Sequence, residues 1–411
     1  MYLIIILVIL IGVHVLDLVV EMLNVRHASA KLPAEFEGYY DAGKYRTAQQ
    51  YLKENTVFSL VSGGFSLVVL ISFIVAGGFN FVDRWARGFG LGEIGTGLIF
   101  VGVLMLGAAI LKIPFSAYHT FVIEEKHGFN RTTPATFALD LLKSYVLVAI
   151  IGTVALSVVL WFFGVAGRVA WLYSWAAVTL LQLFFEFIAP VVIMPLFNKF
   201  VPLEDGELKS ELERYARQQQ FAMKGVYTMD ASKRSAKSNA FFVGFGRYRR
   251  IVLFDTLISR HSVEELVSVL AHEMGHYKKK HILKFMAGSV ISSGVMFYIL
   301  SLFINNAGLF AAFRMEQVSI YASIVFFGFL FTPISTLLAV ITNIFSRRYE
   351  FESDSYAVTT YKKPDAMIAA LKKLSVDNLS NLTPHPLKVF LEYSHPPVLR
   401  RIEAIRANTV A

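Results

Sequence analysis

The stretch Val267-Ser-Val-Leu-Ala-His-Glu-Met-Gly-His-Tyr-Lys-Lys-Lys-His-Ile-Leu-Lys-Phe285 decides how the rest of the chain is read. His272 and His276 stand four residues apart with Glu273 between them, and a lysine run and a long apolar segment follow. Positions i and i+4 are neighbours on one face of a helix. Two imidazoles so placed can reach one metal ion, and Glu273 projects beside them without ligating, where it can hold and deprotonate a water. Gly275 leaves room for a close neighbour. Ser262, with Glu265 three residues on, predicts a capping box at the start of this helix. The five-residue pattern also occurs by chance, on amphipathic helices with two exposed histidines, so it needs a third ligand elsewhere.

The apolar segment after the motif is one of several. The chain has 411 residues, of which 55% are hydrophobic and only 17% charged. Soluble domains carry about 25% charged residues. A spanning helix needs roughly 20 mostly apolar residues, and seven stretches qualify: 1–22, 57–79, 94–122, 144–165, 169–197, 283–304 and 318–345. The first lacks a basic leader region and a clear cleavage site, so it reads as a retained helix. The expected fold is an all-α polytopic membrane protein of about seven transmembrane helices, with a zincin-like catalytic region containing a short β-hairpin. Its parts are 1–197 (five spans and their loops), 198–282 (the polar region with the histidine helix), 283–345 (two spans) and 346–411 (a helical tail completing the site). No cysteine occurs. Disulfides and thiolate metal sites are thereby excluded, and any metal must be held by His, Asp or Glu.

Within the polar region, Leu208, Leu212 and Tyr215 form one face of a predicted helix. The runs NAFFVGF and RIVLF predict two strands joined by a basic turn. The net charge of +9 fits basic loops on one face of a bilayer better than nucleic-acid binding. The first, third and fifth loops and the tail share a side. Those loops carry Arg26, Lys31, Lys44, Arg46, Lys53, Lys126 and Arg131 and the very basic fifth loop, against Arg84, Arg87, Arg168 and Arg314 opposite. This predicts a cytoplasmic motif and tail and an extracytoplasmic N-terminus. His14, Asp17, Lys112, His119, Glu186 and Asn343 fall inside spans, where ionisable groups face a bundle interior or water, or snorkel from helix ends.

The third ligand is sought in NIFSRRYEFESDSYAV. Glu350 and Asp354 are one helical turn apart, just beyond the last span. Glu350 is the expected third zinc ligand, and Asp354 can receive the N–H of a ligating histidine. Glu352 is read as pointing elsewhere. His281, five residues past His276, is read as a surface residue, and His385 as structural in a proline-rich loop. By residues alone, His395 in a rigid His-Pro-Pro turn and Arg401 beyond it form a weaker candidate pair for steadying an oxyanion.

HEMGH with RRYEFESD, SNAFFVGFGRYRRIVLFDTLI, PLFNKFVPLEDGEL and SHPPVLRRI, in that mutual spacing, resemble the type I CAAX prenyl endopeptidases, integral-membrane zinc metalloproteases. The resemblance covers about Phe58 to the end. It implies one catalytic zinc on His272, His276 and Glu350, Glu273 as general base, and Asp354 behind a ligand. It also implies that His395 and Arg401 contact the transition state or substrate. Asn239 and Ala240 match the edge that pairs with extended substrate, and the implied architecture is a ring of seven helices around a hydrated chamber. The implied partners are a peptide or lipidated peptide and membrane lipids, with no nucleic acid and no obligate protein partner. The compact tail without a retention signal reads as a bacterial member, placed in the inner membrane, and leaves the native substrate open. The alternatives are a membrane quality-control protease without prenyl specificity, or a non-enzymatic zinc-containing transporter or receptor.

Overall fold

The computed structural model describes residues 1–243 and 250–410. Seven helices are long and apolar enough to cross a membrane: Tyr2–His27, Ala42–Val75, Gly92–Glu124, Pro134–Val165, Gly167–Leu196, His281–Phe303 and Ile320–Tyr361. Their middles match the expected spans, while the second starts well before its expected first residue and the seventh ends well after its expected last. The second begins at Ala42, where the Asp41 side chain accepts from the Lys44 N–H as an N-cap. The seventh continues 42 residues as one helix, carrying Glu350 and Asp354 past the apolar section.

Each span neighbours the next in sequence, and the seventh returns to the first, so the seven close into a ring. Little of each span is buried inside the protein, and the seventh also packs against the third and fourth. A cavity of about 940 Å³ between the second, third and seventh spans is lined by Phe65, Phe73, Leu104 and Phe329. Lys112 and His119, expected as snorkelling or interior groups, both line it, and the His119 Nε2 lies 2.9 Å from Asn55 Oδ1. Asn343 donates to the Leu391 carbonyl at 2.9 Å.

One end of the ring is closed by short helices, Gly78–Arg87 and Ala307–Ala312, around buried Phe79, Phe100, Phe310, Phe313, Tyr321 and Phe326. At the other end the first loop, the third loop and the tail share a core of Phe36, Tyr40, Phe129, Val376 and Leu382. The fifth loop joins them through hydrogen bonds from Arg131 N to Arg234 O and from Ala236 N to Phe129 O. The four basic segments thus lie together.

The expected strand pair is part of a larger sheet. β1 (Phe200–Pro202), β2 (Gly225–Met229), β3 (Ala240–Val243) and β4 (Arg250–Phe254) lie in the order β1-β2-β4-β3. β3 and β4 are antiparallel, with Ala240 opposite Leu253, whereas β2 and β4 are parallel. The expected basic turn between β3 and β4 lies outside the described residues. Behind the sheet, Leu212 and Tyr215 of the helix Glu207–Gln218 pack with Leu253, Leu257, Leu266 and Leu270 in one buried core. That core fixes the histidine helix, Val263–Lys278, against the sheet.

Candidate active site

The histidine helix starts with both halves of a capping box: Ser262 Oγ accepts from Glu265 N, and Glu265 Oε2 accepts from Ser262 N at 3.0 Å. It then lies against the end of the seventh span at very close range. A Cβ added to Gly275 would stand 2.9 Å from the Ser353 Cα. Only glycine lets the two backbones approach so far, and that approach brings the Glu350 carboxylate up to both imidazoles.

The Nε2 atoms of His272 and His276 are 3.1 Å apart. Glu350 places Oε2 3.4 Å from His272 Nε2 and Oε1 3.2 Å from His276 Nε2. Ligands at 2.0–2.1 Å around a tetrahedral zinc ion are separated by roughly 3.3 Å, so the three donors have the spacing of one face of such a polyhedron. Among the described residues this is the group of His and acidic side chains whose donor atoms converge, all within 4.8 Å. Glu350 Oε2 is buried and accepts no hydrogen bond. The pocket favours positive charge. Burial opposes the charged form of His272, yet Asp354 and Glu350 outweigh it and lift its pKa to about 9. Donor type, spacing and field all fit a divalent cation.

Asp354 places Oδ1 2.8 Å from His272 Nδ1. That contact leaves Nε2 free to face the other donors. Arg401, expected to contact the transition state or substrate, lies against both the Asp354 and Glu350 carboxylates. Its Nε and Nη2 donate to Asp354 at 2.7 and 2.6 Å, and its Nη1 lies 3.2 Å from Glu350 Oε2. Burial disfavours its charge, but the two carboxylates raise its pKa. All three guanidinium nitrogens are engaged in holding other groups. His395 is freer: its side chain is 64% exposed, with Nε2 3.4 Å from Glu350 Oε1.

A cavity of about 540 Å³ joins these pieces, lined by Asn239, Ala240, His272, Glu273, Glu350, His395 and Arg401 among others. Glu273 is half-buried here, and burial raises its carboxyl pKa above the ordinary value. β3 is the sheet's outer strand on this side. The Asn239 carbonyl accepts from Phe254 N, so Asn239 forms a hydrogen-bonded pair with β4. In antiparallel pairing the next residue, Ala240, turns its backbone groups to the open edge. The Asn239 side chain holds the Ala240 N–H at 2.8 Å.

His281 departs from the sequence reading, whereas Glu352 stands outside the donor triad as read. His281 is 1% exposed rather than on the surface. Its Nδ1 lies 3.1 Å from His276 Nδ1, and its Nε2 lies 3.2 Å from Glu352 Oε2. One continuous helix would turn His281 outward. Instead the helix ends at Lys278, and Lys280 adopts φ 59°, a left-handed break that turns the next helix and re-aims His281. A lysine gives no warning of a conformation that usually selects glycine. His385 caps the helix Pro386–Glu392, accepting from Leu387 N.

A carboxylate beside two helical histidines, a third donor from a neighbouring helix and an outer strand of the sheet in one cleft define a membrane-embedded metallopeptidase. Two family models match the chain: CAAX prenyl protease N-terminal, five membrane helices, over residues 21–199, and Peptidase family M48 over residues 202–409. A mouse protein named CAAX prenyl protease 1 homolog is 32% identical over 92% of this chain and 89% of its own length. An Arabidopsis thaliana homolog of the same name is 36% identical over 76% of this chain and 74% of its own. The crystal structure of S. mikatae Ste24p superposes with a TM-score of 0.93 at 30% identity, covering 98% of this chain and 99% of that one. The chain belongs to peptidase family M48, in its CAAX prenyl protease branch.

Proposed function

We propose that this chain is a zinc-dependent endopeptidase that cuts extended segments near the C-terminus of prenylated, CAAX-type proteins at the cytoplasmic face of a membrane. The observation that carries the reading is the joining, in one cleft, of the His272–His276–Glu350 donor set, Glu273 and the open edge of β3. The three donors would hold zinc, which when bound supplies a Lewis acid for the scissile carbonyl and for an attacking water. Glu273 takes the proton of that water as its oxygen adds to the carbonyl carbon, and passes it to the nitrogen of the breaking C–N bond. His395, exposed in the cleft, donates to the oxygen on which charge develops. Arg401 keeps Asp354 and Glu350 in place. Ala240 and its neighbours on β3 pair with the substrate backbone, which holds the peptide extended across the site.

The prenyl preference is supported by the names of the relatives and by the apolar cavity between the second, third and seventh spans. The cytoplasmic assignment is supported by the gathering of the basic loops at the catalytic end. The purified protein is assayed with a farnesylated CAAX peptide and its unprenylated twin, alongside the Glu273→Gln variant. The expected result is zinc retained in the variant, cleavage lost, and the farnesylated peptide cut faster by wild type. Equal cutting of both peptides would mean general proteolysis, and an active Glu273→Gln variant would remove the proposed base.

A further inference from the structure

The two ligating imidazoles each have a second nitrogen, and the site treats them differently. His272 Nδ1 faces Asp354, whereas His276 Nδ1 faces the Nδ1 of His281 at 3.1 Å. His281 in turn directs Nε2 to Glu352 Oε2 at 3.2 Å, and Glu352 is further fixed by Arg348 Nε at 2.9 Å. The His281 ring lies flat on Tyr349, with centroids 4.1 Å apart and planes 8° from parallel. It is enclosed between the break after the histidine helix and the seventh span.

The proton positions along this row follow from one constraint. His276 Nε2 lies 3.1 Å from His272 Nε2 and 3.2 Å from Glu350 Oε1. A nitrogen that is to bind a cation there must offer its lone pair. A neutral imidazole with a lone pair on Nε2 carries its hydrogen on Nδ1. His276 Nδ1 therefore donates, and His281 Nδ1 must accept. The hydrogen of a neutral His281 then sits on Nε2 and meets the Glu352 carboxylate, an acceptor. Every donor along the row finds an acceptor only in this arrangement.

We infer that His281 and Glu352 form a relay that locks His276 in its metal-binding tautomer, a positioning role parallel to that of Asp354 and Arg401 toward His272. The inference rests on the reading of His276 as a ligand. It also ties a ligand to the membrane. His281 is the first residue of the sixth span and Glu352 belongs to the seventh, so the relay joins the ends of two spans at one imidazole.

The test uses the full chain in detergent and measures zinc affinity by competition with a fluorescent chelator, plus the visible spectrum of the cobalt-substituted protein. His281→Phe keeps a flat ring on Tyr349 but removes both nitrogens. His281→Gln keeps an oxygen to accept and an N–H to donate. Loss of such an outer partner weakens metal binding by about 10–100-fold. The expected result is that loss and a shifted cobalt spectrum for His281→Phe, a smaller loss for Glu352→Ala, and substantial recovery in His281→Gln, with metal-free melting temperatures close to wild type. Wild-type affinity and spectrum in His281→Phe would overturn the relay, as would equal weakening in the Phe and Gln variants. A His276→Ala variant serves as control. If it binds zinc as tightly as wild type, the triad itself is wrong and the relay falls with it, which separates the two failures.

Discussion

Arg401 and His395 look alike in sequence as polar residues of the tail, yet their surroundings differ. Arg401 is spent on two buried carboxylates, while His395 has an exposed face toward the cleft. Arg401→Met would leave Asp354 buried without its cation. Breaking a buried pair from one side costs about 3–5 kcal/mol, so the variant is expected to melt earlier and to bind zinc poorly. His395→Ala removes an exposed side chain whose contacts are to Ser394 Oγ and Glu350. It should keep its melting temperature and its zinc while kcat falls about 10²–10³-fold, the usual effect of losing one oxyanion donor. Thermal melts, metal analysis and peptide kinetics on the two variants check this contrast. Equal losses of zinc in both would contradict it.

Among the elements, the contact between the histidine helix and the end of the seventh span governs the site, because each contributes ligands that only their packing brings together. Gly275→Ala places a methyl 2.9 Å from the Ser353 Cα, a backbone atom that cannot swing aside. Overpacking of this kind costs about 1–3 kcal/mol. The helices should part slightly, lowering both melting temperature and zinc affinity, which metal competition and thermal unfolding measure together. Wild-type zinc affinity in this variant would show that the close approach is not what positions Glu350. The ligand pattern and the helix were legible because they are local: a capping box at Ser262, an i, i+4 histidine pair, and a one-turn Glu350–Asp354 spacing. Span middles were legible through hydropathy. Span ends were not, because the second and seventh helices continue into polar sequence without a stop signal. β1 and β2 are not legible because Phe-Val-Pro and Gly-Val-Tyr-Thr-Met lack the continuous apolar run of RIVLF, and their pairing is set by partners distant in sequence. His281 was misplaced by a single left-handed lysine.

At the scale of the whole molecule, the catalytic end is assembled from segments far apart in the chain, and the first loop is clamped to the tail. Glu35, in the short turn Ala34–Phe36, accepts from Arg406 through both oxygens, at 2.7 and 2.8 Å, and pairs with Lys372. Burial alone would raise its pKa, but Lys372 and Arg406 prevail and hold it below the ordinary carboxylate value. A carboxylate lowered by folding contributes stability while it is ionised. That contribution is complete above the unfolded pKa, near 4.3, and is lost as pH falls through the lower folded value. Comparing wild type with Glu35→Gln isolates this clamp from the other carboxylates that titrate in acid. The wild-type protein should melt higher than the variant by a constant margin from about pH 7 down to pH 5, and the margin should then shrink toward zero on further acidification. Thermal unfolding in detergent across that range reads it directly. A margin that persists unchanged well below pH 3 would mean that Glu35 holds the loop by shape rather than charge, and that the first loop is fixed to the tail by the Phe36–Tyr40–Leu382 core alone.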